Sequence, residues 1–198
     1  MPPKASPDAV VGILLAAGRG ARFDPAGVQN KLLQRLPDGR EVAVASAVNL
    51  LAAIPSVLAV IRPGSEALVE RLQAAGCEVT ICPNAEEGMA ASLVHALSLM
   101  RDAHGWVIAL ADMPYVKPST IATLTASVKQ GAAIAAPVIN GRRGNPVAFG
   151  CTHLDALLQL RGDEGARHLL GNHPVTQVPV DDPGILRDID TPEDLADH

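Results

Sequence analysis

The stretch Val10-Val11-Gly12-Ile13-Leu14-Leu15-Ala16-Ala17-Gly18-Arg19-Gly20-Ala21-Arg22-Phe23 decides the fold of this 198-residue chain. Its first part, Val10 to Leu15, is an unbroken apolar run, which reads as a buried strand. Its second part carries two glycines and two arginines. A buried strand that opens into such a loop is built to meet phosphate. Gly18 and Gly20 are expected to take positive φ and to let N–H groups approach an anion closely. Arg19, Arg22 and, further on, Lys31 supply fixed positive charge, and an arginine fork can grip phosphate oxygens bidentately. The plainer alternative is a tight turn with a solvated basic rim. Two familiar phosphate loops do not fit. A dinucleotide fingerprint needs G-x-G-x-x-G, and Phe23 stands at the third glycine position. A Walker A loop needs G-K-[ST], whereas Lys31 lies between Asn30 and Leu32.

Downstream, apolar runs alternate with helical patterns. Val57–Ile61 reads as a second strand. Ser65 reads as the N-cap of a helix carrying Leu68, Val69 and Leu72, which Gly76 closes. Glu78–Cys82 is a third strand. Met89–Met100 is a helix with Leu93, Leu97 and Met100 on one face. Trp106–Leu110 is a fourth strand, and Pro118 fits the first turn of a helix carrying Ile121, Leu124 and Val128. Ala133–Pro137 is a fifth strand. Strands separated by helices predict an α/β fold of three layers with a mostly parallel sheet, and such sheets bind ligands at the carboxyl ends of their strands. Beyond Pro137 the pattern changes: Asn140-Gly141 is a hairpin signal, and Arg142–Gly150 reads as a strand returning across one end of the sheet. Leu36–Arg40 is a second small turn. The polar, proline-rich residues 1–8 are expected to be a disordered arm, and 9–198 one domain.

Composition narrows the function classes. Hydrophobic residues make up 48% of the chain and aromatics only 2%, so the expected core is aliphatic. The net charge of -5 argues against a nucleic-acid-binding surface, whose footprint is basic, and sets off the cationic loop against its background. No apolar stretch reaches membrane-spanning length, and the first residues lack a secretory core. Cys77, Cys82 and Cys151 have no C-x-x-C spacing and read as reduced thiols. The cytoplasm is therefore the expected compartment. The six histidines show no metal spacing.

Two places carry carboxylates suited to metal chemistry. Asp112 sits just past the fourth strand, and Pro114 turns the chain away behind it. A carboxylate there can hold Mg²⁺ against a triphosphate, since Mg²⁺ prefers oxygen ligands and substrate phosphates; the alternative is a cap for the next helix. Asp188 and Asp190, spaced i, i+2, face one side of an extended segment, and one of them, Asp190 by preference, is expected to complete the metal site. Thr191-Pro192-Glu193-Asp194 has the signature of a helix start, which gives Glu193 and Asp194 a structural role.

Taken together, Leu15-Ala16-Ala17-Gly18 with Arg22 and Lys31, Glu87–Leu93, Ala111-Asp112-Met113-Pro114, Arg143–Val147, Gly162–Arg167 and Asp188–Leu195 resemble the MobA/MocA-like nucleotidyltransferases, the group that attaches a nucleotide to molybdopterin cofactor. The motifs occur in the family's order from near residue 10 to the C-terminus. One departure is Asp24–Asn30, which lengthens the family's short Gly-x-x-Lys spacing. The resemblance implies a Rossmann-like, GT-A-like nucleotidyltransferase fold. It implies transfer of a nucleoside monophosphate from an NTP to a phosphate-bearing acceptor, molybdopterin by preference, with release of pyrophosphate and with Mg²⁺ as cofactor. Leu15, Ala16, Ala17, Gly18, Arg19, Gly20, Arg22, Lys31 and Ser92 would contact the nucleotide. Arg22, Lys31 and Asp112 would be catalytic, with Asp112, Asp190 and Asp188 as metal ligands and Arg143 and Asn145 facing the acceptor. Asp163 and Arg167 stay undecided between a functional role and local capping. Leu-Ala-Ala-Gly is more typical of the cytidylyl branch than of the guanylyl one, so CTP is favoured over GTP. A molybdoenzyme receiving the cofactor is the protein partner implied. Two other readings stay open: the same transfer to a sugar phosphate or phospholactate, and a non-catalytic carrier of molybdenum cofactor.

Overall fold

The apolar run that opens the chain forms β1 (Val10–Ala16), the centre of the sheet. Its side chains alternate between two cores. Val10, Leu14 and Ala16 face one apolar cluster, and Val11 and Ile13 face the other. Burial on both sides is why the run is continuous rather than alternating. A computed structural model describes residues 8–26, 29–163, 165–166 and 169–196 of the chain. The expected N-terminal arm thus lies, except for Asp8, outside the described residues.

Around β1 lie β2 (Val57–Ile61), β3 (Glu78–Ile81), β4 (Gly105–Leu110), β5 (Ile134–Ile139), β6 (Arg142–Arg143), β7 (Val147–Gly150) and β8 (Thr176–Pro179). The order is β3-β2-β1-β4-β7-β5-β6, with β8 beside β5. β1, β2, β3 and β4 run parallel, as do β5 and β8; β7 runs antiparallel between β4 and β5. The helices are α1 (Val42–Leu51), α2 (Glu66–Ala74), α3 (Met89–Leu99), α4 (Pro118–Lys129), α5 (Leu154–Leu158) and α6 (Leu169–Asn172). α1, α2 and α4 cover one face of the sheet, and α3, α5 and α6 the other. This is the three-layer, mostly parallel α/β architecture that the sequence predicts. Both cores are largely aliphatic; one also holds Phe23, and the other Trp106 and Phe149, which are paired across β4 and β7. No helix among the described residues is long and apolar enough to cross a membrane.

Several local expectations need correction. α1 was not anticipated: its residues are buried almost all round, so no amphipathic period marks it. Ser65 precedes α2, but its hydroxyl makes no cap bond. The returning strand is two pieces, β6 and β7, broken at Gly144-Asn145-Pro146. The break has a cause. A Cβ on Gly144 would stand 2.2 Å from the carbonyl oxygen of Ile185, and the Asn145 N–H donates to that oxygen at 2.9 Å. The hairpin itself is as expected, with positive φ at both Asn140 and Gly141.

The segment from Asp182 onward locks under the carboxyl edge of the sheet. Pro118 occupies the first turn of α4, but the cap comes from far downstream. Asp182, only 1% exposed, accepts from the Lys117 N–H at 2.8 Å, the Thr120 Oγ1 at 2.6 Å and the Gly184 N–H at 3.0 Å. Further on, the Ile189 N–H donates to the Asp112 carbonyl at 2.8 Å. The chain's end is thereby held against the end of β4.

Candidate active site

β1 and β4 are parallel neighbours with Leu15 opposite Leu110, and the Ala111 N–H donates to the Leu15 carbonyl. The glycine loop and Asp112 therefore leave the sheet side by side. Together with Asp190 they border a cavity of about 560 Å³. Leu15, Ala16, Ala17, Gly18, Arg19, Gly20, Arg22, Lys31, Ser92, Asp112 and Asp190 all line it.

The loop is held by its own backbone. Gly20 has φ +63°, and its carbonyl accepts from the Phe23 and Asp24 N–H groups at 2.9 and 3.1 Å, while Phe23 is buried. Gly18 does not take positive φ, contrary to expectation. A Cβ there would meet no heavy atom within 4 Å, so neither strain nor protein packing calls for glycine at that position. After Arg22, the Asp24 carboxylate accepts from the Ala26 and Gln29 N–H groups. Asn30 then caps a 3-10 turn over Lys31–Leu33 through the Leu32 N–H. This turn aims Lys31 inward despite the longer spacing.

Lys31 Nζ lies 2.8 Å from Asp112 Oδ2 and 3.3 Å from Asp190 Oδ1. Arg22 Nη1 lies 2.5 Å from Asp190 Oδ2. The Lys31 side chain is 11% exposed and that of Arg22 79%. Arg19 makes no ion pair among the described residues. Asp112 is not a helix cap, since the residue that precedes α4 is Lys117. Asp190 is fixed from behind. Its N–H donates to Asp194 Oδ2 at 2.9 Å, and the same oxygen accepts from the Thr191 N–H at 2.7 Å. These backbone donors hold the Asp194 carboxyl below its usual range. Thr191-Pro192-Glu193-Asp194 thus starts a short 3-10 turn that positions the carboxylate before it. Asp188 does not line the cavity. Partial burial, with Asp190 and Asp112 adding negative charge nearby, pushes its carboxyl upward against the pull of its own backbone and of Lys31.

Ser92 is buried on α3, on the far wall. That wall is built by Gly88, at φ +117°, where a Cβ would stand 2.3 Å from the Gly162 carbonyl oxygen. The Ala90 N–H donates to that oxygen at 3.0 Å. This docking brings Asp163 to the cavity, beside Ala85, Glu86 and Met89, none of which sequence reasoning had placed there. The signal for them is indirect: Gly88 and Gly162 sit in two motifs that touch only in the fold. Arg167 lies outside the described residues. Arg143 and Asn145 fall outside the cavity lining: Arg143 Nη1 reaches the Leu170 carbonyl at 3.4 Å, and Asn145 is tied to Ile185. Among the described residues no group of three or more His, Cys, Asp or Glu is arranged to hold a metal. Two carboxylates do converge, on the Lys31 ammonium. The three cysteines are free thiols.

A sequence profile for the MobA-like NTP transferase domain matches residues 12–178. The chain belongs to this family. It is a nucleotidyltransferase, and its edge of convergent cations and carboxylates is the edge where such sheets hold ligands. Purine catabolism protein PucB of Bacillus subtilis is 28% identical to it over 198 residues, covering 93% of each chain. Rv0371c of Mycobacterium tuberculosis is similar in structure with a TM-score of 0.81 at 27% identity, covering 98% of this chain and 97% of that one. A manganese complex of Rv0371c has a TM-score of 0.78 at 26% identity, with the same coverage. Molybdopterin-guanine dinucleotide biosynthesis protein A from Archaeoglobus fulgidus shares the fold, with a TM-score of 0.68 at 22% identity over 94% of this chain and 95% of that one.

Proposed function

We propose that this nucleotidyltransferase moves a cytidylyl group from CTP to the phosphate of molybdopterin and releases pyrophosphate. The observation that carries the reading is the convergence of Asp112 and Asp190 on Lys31 beside the Gly18 loop. The acceptor phosphate attacks the α-phosphorus in line as the bond to the β-phosphate oxygen breaks, so no protein nucleophile is needed. Such transfer rests on positioning and charge neutralisation. Loop N–H groups with Arg19, Arg22 and Lys31 would hold the β- and γ-phosphates and stabilise the pyrophosphate as it leaves. Space beside Gly18 lets a phosphate approach the backbone where a side chain would intrude.

A divalent ion, Mg²⁺ in this reading, would neutralise charge on the α-phosphate and the acceptor phosphate. The donor set fits it: hard carboxylate oxygens from Asp112 and Asp190, with Asp188 nearby, suit an ion that takes one or two carboxylates and fills its shell with phosphates and water. Manganese in Rv0371c supports a divalent site in this fold. Molybdopterin as acceptor rests on the family and on the A. fulgidus neighbour. Arg143 and Asn145 are kept as acceptor contacts on the resemblance alone, as is a molybdoenzyme as recipient. CTP over GTP rests on the Leu15-Ala16-Ala17-Gly18 motif; Ala17 lines the cavity, where a methyl would leave less room for a purine than glycine does.

The test is pyrophosphate release with CTP and molybdopterin. Asp112→Asn keeps the shape and removes the charge, so turnover should fall by about 100-fold or more while the fold survives. Near-normal turnover in that variant refutes the assignment.

A further inference from the structure

Both oxygens of Asp190 are taken, Oδ1 by Lys31 at 3.3 Å and Oδ2 by Arg22 at 2.5 Å, and Lys31 also holds Asp112 Oδ2 at 2.8 Å. Two carboxylates and two cations therefore cancel at the mouth of the cavity. A divalent ion entering alone would meet three of these four carboxylate oxygens already paired and an ammonium aimed at the same point. That ammonium is well shielded, with its side chain 11% exposed, so water screens the repulsion poorly.

We infer that Lys31 is a resident counterion that reserves Asp112 and Asp190 for a divalent ion arriving with a triphosphate. The inference rests on the nucleotide reading above and adds an order of binding to it. Lysine suits the role. Its ammonium is a compact charge on a flexible stem, able to exchange a carboxylate for a phosphate oxygen with little change in bonding. Arg22 is tethered on a largely exposed side chain, 79%, and turns to a phosphate at small cost. When a triphosphate draws both cations toward the loop, Asp112 and Asp190 become free to bind metal. The nucleotide then raises metal affinity, and by linkage the metal raises nucleotide affinity by the same factor. Lys31 thus acts oppositely on the two ligands: it helps the nucleotide and hinders the free metal.

That opposition supplies the test. Mn²⁺ alone is titrated into the full chain and followed by electron paramagnetic resonance, for wild type, Lys31→Met and Lys31→Arg. Methionine fills the stem's volume without its charge, so Lys31→Met should bind Mn²⁺ about tenfold tighter or more, a modest share of what a unit charge a few ångströms away can do. Lys31→Arg keeps the charge and should bind Mn²⁺ as wild type does. In parallel, CTP titrated in the presence of a chelator should bind Lys31→Met about tenfold more weakly than wild type. Should the methionine variant fail to fold, Lys31→Gln carries the same comparison. Mn²⁺ affinity in the neutral variant equal to or below that of wild type, while wild type still binds nucleotide, overturns this inference alone. Failure of wild type to bind CTP or GTP, with or without metal, overturns the nucleotide reading beneath it.

Discussion

Replacing Asp182 by alanine should cost more stability than almost any other polar change in the molecule. The residue is 1% exposed and accepts three hydrogen bonds, from the Lys117 and Gly184 N–H groups and from the Thr120 hydroxyl. Asp182→Ala leaves one buried backbone donor, on Gly184, and one half-buried donor, on Lys117, without partners; the hydroxyl can rotate toward another acceptor. A buried donor left without a partner costs about 1–3 kcal/mol and a half-buried one less, so the two together cost about 3 kcal/mol. For a chain of this size that corresponds to a fall in melting temperature of roughly 6–12 °C. Asp182→Asn keeps one acceptor oxygen and should lose about half as much. Urea denaturation followed by circular dichroism measures both, with an unchanged slope expected because the core is untouched. The same segment carries Asp190, so nucleotide affinity should also weaken at temperatures where the alanine variant is folded. An alanine variant within about 1 kcal/mol of wild type, or an asparagine variant less stable than the alanine one, refutes this account of how the chain's end is held.

Other outcomes follow from the same geometry. Arg22→Ala should weaken NTP binding with little change in melting temperature, because an ion pair on a side chain 79% exposed adds little stability; a calorimetric binding curve beside a thermal melt separates the two. CTP should bind more tightly than GTP in the presence of Mg²⁺, and Ala17→Gly should narrow the gap, a methyl being worth about 1–3 kcal/mol of discrimination; equal affinities in wild type would refute the cytidylyl preference. Burial lowers the pKa of His95, whose Nε2 lies 2.8 Å from Thr80 Oγ1, and of His153, which also faces His173. Below the ordinary imidazole value near 6.5 the unfolded chain takes up protons that these two resist in the folded state, so stability should fall as pH drops from about 6.5. His95→Gln should flatten that fall; an unaltered pH profile argues against it.

Much of the fold was legible because the central strands are buried on both faces and bounded by turn residues. Val57–Ile61 matches its strand end to end, and Trp106–Leu110 differs from its strand by one residue. Legibility failed where tertiary contacts replace local signals. α1 is apolar on nearly every side, so its pattern fits neither a strand nor an amphipathic helix. β8 is short, mostly exposed and ends on Pro179; it becomes a strand only because β5 offers it a parallel partner. The cap of α4 comes from Asp182, which no local window contains. At the site, the loop, Lys31, Asp112 and Asp190 could be named because strand order places them at one edge. Asp163 stood undecided between a functional role and local capping, because its arrival depends on Gly88 meeting Gly162. Arg143 and Asn145 carried a motif without a position, and their hairpin is tied elsewhere.

The Lys31 ammonium joins partners 81 and 159 residues away along the chain. Closing the longer of these loops costs only about 0.6 kcal/mol more than closing the shorter, so thermodynamics barely registers the distance. Synthesis does. Asp112 leaves the ribosome well before Asp190, and at roughly 5–20 residues per second the interval is of the order of seconds. Throughout it, β1 and β4 can already be paired, with the lysine neutralising Asp112 alone. A chain cut just before Asp190 would keep β1, β4 and the glycine loop, but its ammonium would be held by one carboxylate instead of two.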